Sequence, residues 1–286
     1  MARVPAATLS GVLWILASCA GLSGVSAFSR ALGPAVDAWQ LSLVRYAAGL
    51  LVVLPLAWRL GPAAVATQRP LLHLRRALML TAAMYCGFYG FTHLPLADAT
   101  GLYFSRPLFI VVLSALWLRQ AVGAARWLAV GAGFVGMLLV IRPGAGALQP
   151  AALVSAAGAL LVALALLQVK LMQRTEGDVP ILVYSNAFGL LLSALPAALT
   201  WQGLDARQWA LLLGAGLCGA LSQVCMVQAY RRAEPAALAP AEYLQIPFTL
   251  ALAWAVFAEV PPAGVALGIA LIAAAGLYAT RAPGVR

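Results

Sequence analysis

The chain has 286 residues, of which 64% are hydrophobic and only 9% are charged. A soluble domain carries roughly 45–50% apolar and about 25% charged residues, so this composition excludes a soluble globular enzyme and points to a membrane protein crossed many times. The net charge of +10 is not a nucleic-acid footprint, because no basic stripe with interleaved aromatics occurs.

A transmembrane helix needs roughly 17–25 mostly apolar residues. In chain order such spans are expected at 8–28, 38–58, 74–92, 97–118, 124–141, 150–170, 180–200, 207–229, 236–258 and 262–280. The first could pass for a secretory signal, with Arg3 ahead of an apolar run. That run is about 20 residues long and further spans follow, so an uncleaved first helix is expected. The breaks are short and hold Pro, Gly and charge, as in "RLGPAAVATQRP" at 59–70, "QRTEGDVP" at 173–180 and "RRAEPA" at 231–236.

Ten spans with the N-terminus inside place 13 basic residues, Arg75 and Arg76 among them, on the cytoplasmic side and only Arg30, Arg142 and Arg207 on the other. This is a strong positive-inside pattern, and it predicts that both termini are cytoplasmic. The two remaining arginines, Arg45 and Arg106, fall inside spans. The four cysteines, Cys19, Cys86, Cys218 and Cys225, all lie in apolar spans without a C-x-x-C pair. Neither a disulfide framework nor a metal site is expected from them. No P-loop occurs, so no cofactor is expected and any energy must come from gradients.

The chain repeats itself. A shift of 140 residues without a gap lays "THLPLADATGLYFSRPLF" on the segment beginning "RAEPAALAPAEYLQIPF". Pro95 meets Pro235, Tyr103 meets Tyr243 and Pro107 meets Pro247, while "GLL" at 49–51 meets "GLL" at 189–191. Two copies follow, 1–144 and 145–286, each with five spans. Five is odd, so the second copy enters the membrane upside down. The fold class expected is therefore an all-α membrane protein of ten transmembrane helices in two inverted five-helix repeats. That is an architecture of secondary transporters, in which two similar halves expose a central site to either side in turn.

The segment "FTHLPLADATGLYFSRPLFIVVLSALWLRQAVGAARWLAVGAGFVGMLLVIRPG" (91–144) resembles the signature region of EamA-type members of the drug/metabolite transporter superfamily. So does "QAYRRAEPAALAPAEYLQIPFTLALAWAVFAE" (228–259). The resemblance covers nearly the whole chain. It implies a bacterial inner-membrane carrier of small organic metabolites such as amino acids, nucleoside-like compounds or drugs, often moved outward. It also implies a central cavity lined largely by the third and fourth helices of each copy and their first-helix neighbours. One departure stands out: span nine ends Ala258-Glu259, whereas span four ends Leu118-Arg119-Gln120, so Glu259 receives no symmetric role.

Ionisable residues inside spans need a reason to be there. Arg106 lies about ten residues, roughly 15 Å, into span four, near the middle of a bilayer core of about 30 Å. Glu242 lies roughly 9 Å into span nine. Under the repeat Glu242 corresponds to Leu102, which is four residues from Arg106 and so on the same helix face. Arg106 and Glu242 therefore occupy matching faces of related helices. Two readings follow. Arg106 receives an anionic group of a substrate and Glu242 an amine or a proton, or the two neutralise each other across the halves.

Arg45 can snorkel to the outer interface, pair with Asp37 or Asp98, or contact substrate. Asp98 also suits a helix N-terminus. Tyr103, Tyr243, Gln245, Tyr85, Tyr89, Gln223, Gln228 and Asn186 are further substrate candidates, though buried polar groups in a bilayer also bond neighbouring helices. Pro107, Pro247 and Pro240 sit inside spans as hinge or cavity-shaping candidates, since each removes a backbone bond.

The function expected is a secondary carrier, an exporter of small polar metabolites such as amino acids, working by alternating access between the repeats. Its partners are the substrate and the lipid bilayer, with a homodimer left open. A membrane enzyme or lipid-handling protein on the same scaffold is the alternative. It would need a catalytic constellation, and His73 and His93 lie at opposite ends of span three with no acidic cluster nearby.

Overall fold

The computed structural model describes residues 6–33, 36–93, 102–141, 150–258 and 263–281. Among them are eleven α-helices, one short 3-10 turn at Pro62–Ala64 and no strand. The helices are α1 (Ala6–Leu32), α2 (Ala38–Leu60), α3 (Pro70–His93), α4 (Arg106–Leu116), α5 (Ala124–Ile141) and α6 (Pro150–Met172). They continue with α7 (Asp178–Leu199), α8 (Ala206–Arg232), α9 (Pro235–Glu242), α10 (Gln245–Phe257) and α11 (Ala263–Arg281). Five of them, α1, α2, α6, α7 and α8, are long and apolar enough to cross a membrane.

Most helices match the expected spans to within a few residues at each end. Their termini follow local chemistry. Asp205 caps α8 by accepting from the Gln208 backbone N–H at 2.7 Å, while the Gln208 side chain accepts from the Asp205 N–H at 2.9 Å, a reciprocal capping box. Gly61 ends α2 at φ 82°, a conformation glycine adopts without a Cβ clash.

The surface is that of a protein in lipid. Leu153 and Leu199 are 76% and 78% exposed, and Leu51, Leu71, Leu116 and Leu191 are nearly as open. Such apolar exposure is far beyond a soluble monomer's. Exposed tryptophans stand at helix ends, with Trp58 at the end of α2 and Trp201, between α7 and α8, 6.1 Å from the Trp209 ring at the start of α8. Trp is enriched at these depths, where its ring meets headgroups.

The packing pairs off as two related five-helix sets would. Contact between α1 and α8 is matched by contact between α3 and α6. Likewise α2–α8 is matched by α3–α7, and α1–α10 by α4–α6, while α2–α7 and α5–α11 map onto themselves. The α2–α7 crossing makes this reciprocity atomic. A Cβ at Gly49 would collide with the Asn186 amide, and a Cβ at Gly189 would meet the Tyr46 ring at 2.5 Å. The 140-residue shift carries Gly49 to 189 and Tyr46 to 186, so the two collisions are one contact seen from both sides.

The expected kinks in spans four and nine are breaks, and they fall ahead of the prolines. In span nine α9 stops at Glu242 and α10 restarts at Gln245. In span four a turn at 104–105 precedes α4. Pro107 and Pro247 thus sit in the first turn of the following helix, where a missing N–H costs no bond. Local turns satisfy the released carbonyls. Leu102 accepts from Ser105, and Ala241 accepts from the Leu244 N–H. Pro240 lies inside α9.

Candidate functional site

The break in span nine places Glu242 at a helix end, and the break in span four leaves Arg106 as the first residue of α4. The two meet there. The Arg106 Nε donates to Glu242 Oε2 at 2.9 Å, with the side chains 4% and 1% exposed. The other carboxylate oxygen accepts from the Tyr230 hydroxyl at 3.0 Å. A second guanidinium nitrogen of Arg106 donates to the Tyr103 hydroxyl at 3.0 Å, and its carbon lies 5.2 Å from the Tyr103 ring centroid. Every strong acceptor of Glu242 is therefore engaged, as a buried charge requires. The residues joined come from both repeats.

Beside this pair lies a cavity of about 480 Å³ among α1, α2, α3, α6 and α8 and the start of α4. Arg106 and Tyr103 form part of its wall, together with Arg45 and Gln223. These four are the sequence candidates that the cavity gathers. The rest lie elsewhere. Glu242 is behind Arg106, outside the lining. Tyr243 is fully buried against Gly133, and Gln245 is buried in the first turn of α10. Asn186 is held in the α2–α7 crossing, donating to the Leu182 carbonyl at 2.8 Å. Tyr85 and Tyr89 are half exposed on the bundle surface, against Trp39 and His93. Gln228 donates to Asp178 at 2.9 Å, in a polar cluster with Arg231 and Arg232. Asp37 is engaged by the Thr200 hydroxyl rather than Arg45. Asp98, Arg142 and Glu259 fall outside the described residues.

One cavity residue was placed differently by the sequence. Arg76, counted with the cytoplasmic loop arginines, is 4% exposed and lines the cavity. Its Nε donates to the Ala165 carbonyl at 3.2 Å, and a second nitrogen donates to the Ser185 hydroxyl. The reason is where α3 begins. It starts at Pro70, so Arg76 falls in its second turn, facing α6 and α7, while its neighbour Arg75 is exposed. Adjacent residues on a helix point about 100° apart, so on a helix packed against α6 and α7 one arginine of the pair turns inward while the other stays outside.

Beyond Arg76 a second set of polar contacts joins the halves. Thr67 donates to Glu176 Oε1 at 2.8 Å, and the buried His73 ring lies 3.9 Å from Glu176 Oε2. Gln120 donates to Glu234, which also pairs with Lys170 at 3.3 Å.

Apolar exposed helices, two mutually packed repeats and a central cavity with a buried ion pair define a polytopic membrane protein of the transporter class. The chain belongs to the EamA-like transporter family, whose model matches it twice, over residues 9–142 and 149–280. The family is one of transporters, not enzymes. The chain is 30% identical to a riboflavin transporter of Vibrio cholerae over 282 residues, 96% of this chain and 93% of that protein. It is 27% identical to an S-adenosylmethionine uptake transporter of Rickettsia felis, over 94% of this chain and 92% of that one. It is also 27% identical to a pseudopaline exporter of Pseudomonas aeruginosa, over 95% and 96% of the two chains. A solved crystal structure superposes with a TM-score of 0.82 at 18% identity, covering 94% of this chain and 96% of that chain, and shows the same fold. These bacterial relatives and the apolar helices point to a multi-pass inner-membrane transporter of small metabolites.

Proposed function

We propose that the chain is a ten-span secondary carrier that works by alternating access, with 1–144 and 145–286 as inverted repeats. The single observation that carries this reading is the Arg106–Glu242 pair, a buried ion pair joining the two repeats beside the cavity. Buried charges in a bilayer mark substrate paths and gates. A joint of two opposite charges can open and reclose as the halves rock. Arg106 also offers the face bonded to Tyr103 to the cavity, so a substrate that draws it away loosens the joint.

With the N-terminus inside, the cavity lining runs from Ala38 at the outer end of α2 inward to Arg76, Leu166 and Val227. The contacts of Glu176 with Thr67 and His73, and of Glu234 with Gln120, then lie on the cytoplasmic side. This conformer is outward-facing in that orientation. A volume of about 480 Å³ falls in the range of pockets for drug-sized ligands. It suits a metabolite larger than most amino acids, and the relatives' names extend the substrate class the same way. One relative is named for uptake and another for export, as carriers driven by gradients allow.

The test is transport into proteoliposomes of labelled riboflavin, S-adenosylmethionine, nucleosides, amines and amino acids. Wild type is compared with Arg106→Ala and Glu242→Gln. At least one compound should move, and both variants should slow it by about tenfold or more. Normal transport by both variants would remove the pair from the mechanism.

A further inference from the structure

The charge lining the cavity is lopsided. Its ionisable wall residues, apart from tyrosines, are Arg45, Arg76 and Arg106, and no carboxylate is among the lining residues. Arg106 is balanced by Glu242 from behind. The other two have no carboxylate partner among the described residues. Arg76 is held by a backbone carbonyl and a serine hydroxyl, both neutral. Arg45 rests with its guanidinium carbon 5.4 Å from the Tyr46 ring centroid, and Arg76 and Tyr46 line the same cavity. The two guanidinium groups, from α2 and α3, thus share the wall of one cavity with Tyr46.

An uncompensated guanidinium in a low-dielectric site is costly and is retained where a counter-charge arrives from outside. Two of them in the wall of one cavity favour an anion strongly and repel a cation. The rest of the wall is mostly apolar, with Leu22, Val25, Leu41, Leu80, Met84 and Met226 contributing, and its polar members are Ser42, Ser155, Ser222 and Gln223. Such a wall accepts a flat or hydrocarbon body but offers it few hydrogen bonds.

We propose that the substrate is an organic anion, a carboxylate or phosphate on an apolar or aromatic body, received by Arg45 and Arg76 in the cavity wall. This rests on the carrier reading and adds the charge class of what is carried. The placement of Arg45 depends on Gly219. A Cβ there would meet Arg45 Cδ at 2.5 Å and Cγ at 2.6 Å, so the stem of the arginine crosses α8 where that helix has no side chain.

The test compares probes of one body and different charge. Binding of indole-3-acetate, tryptophan and tryptamine, and of riboflavin and its 5′-phosphate, is measured by calorimetry on the full chain in nanodiscs. Indole-3-acetate and riboflavin 5′-phosphate should bind about tenfold or more tightly than tryptamine and riboflavin. Arg45→Gln and Arg76→Gln should each cut that preference to about threefold or less. Gly219→Ala keeps every charge but displaces Arg45, and should weaken the anions more than tryptamine. Equal or tighter binding of tryptamine, a preference that survives both arginine substitutions, or no binding of either anion at about 1 mM overturns the proposal. Transport of riboflavin or S-adenosylmethionine by the same preparation, without an anion preference, would discard the charge class and leave the carrier standing.

Discussion

Arg76 and Arg106 are equally buried, at 4% exposure, and both line the same cavity, yet their surroundings differ in kind. Arg106 faces a carboxylate from the other repeat, itself tied to Tyr230. Among the described residues the hydrogen-bond partners of Arg76 are a carbonyl and a hydroxyl. The first is one half of a neutral unit that binds the repeats together. The second is a net charge held toward the cavity by neutral groups. Burial alone therefore does not define what a membrane arginine does; the charge of its partners does.

The comparison can be broken by substitution. Arg106→Ala should have the largest effect, because it strands a buried carboxylate. A loss of about 3–5 kcal/mol is expected, seen as a large fall in the unfolding temperature in nanodiscs and as loss of transport. Arg76→Gln strands no charge. Its stability cost should be about 1–3 kcal/mol, while substrate affinity falls much further than stability does. A stability loss for Arg76→Gln as great as for Arg106→Ala would erase the distinction. Gly189→Ala presses a methyl group into the Tyr46 ring and should cost about 1–3 kcal/mol. It tests the reciprocal crossing of α2 and α7, and the same temperature scan reads it. Tyr85→Phe, at a half-exposed surface position, should change stability by no more than about 0.5 kcal/mol and leave transport at the wild-type rate.

These residues also show how far the sequence could be read. The Arg106–Glu242 pairing was legible because the repeat places both on matching helix faces, and depth can be counted along a span. Arg76 was hidden by the rule that made orientation legible. Counting loop arginines treats Arg75 and Arg76 alike, and only the start of α3 at Pro70 separates them. Tyr85 and Tyr89 read as buried polar groups, but a tyrosine is apolar enough to sit on a lipid-facing surface with its hydroxyl elsewhere. Tyr243 and Asn186 are buried as read, but in helix crossings. A repeat specifies which faces match, whereas which side of a face borders a void depends on the packing of several helices at once. The prolines marked the broken spans, though the break itself lies just before them, where the chain leads into a proline-bearing first turn.

The most direct measurement is a double-mutant cycle on Arg106→Met and Glu242→Gln, read by unfolding in nanodiscs. If the two form one neutral unit between the repeats, each single change strands a charge and the double change strands none. The double variant should then be more stable than the Arg106→Met single variant, with a coupling of about 2–3 kcal/mol. Losses that add to within about 0.5 kcal/mol would contradict a joint between the halves.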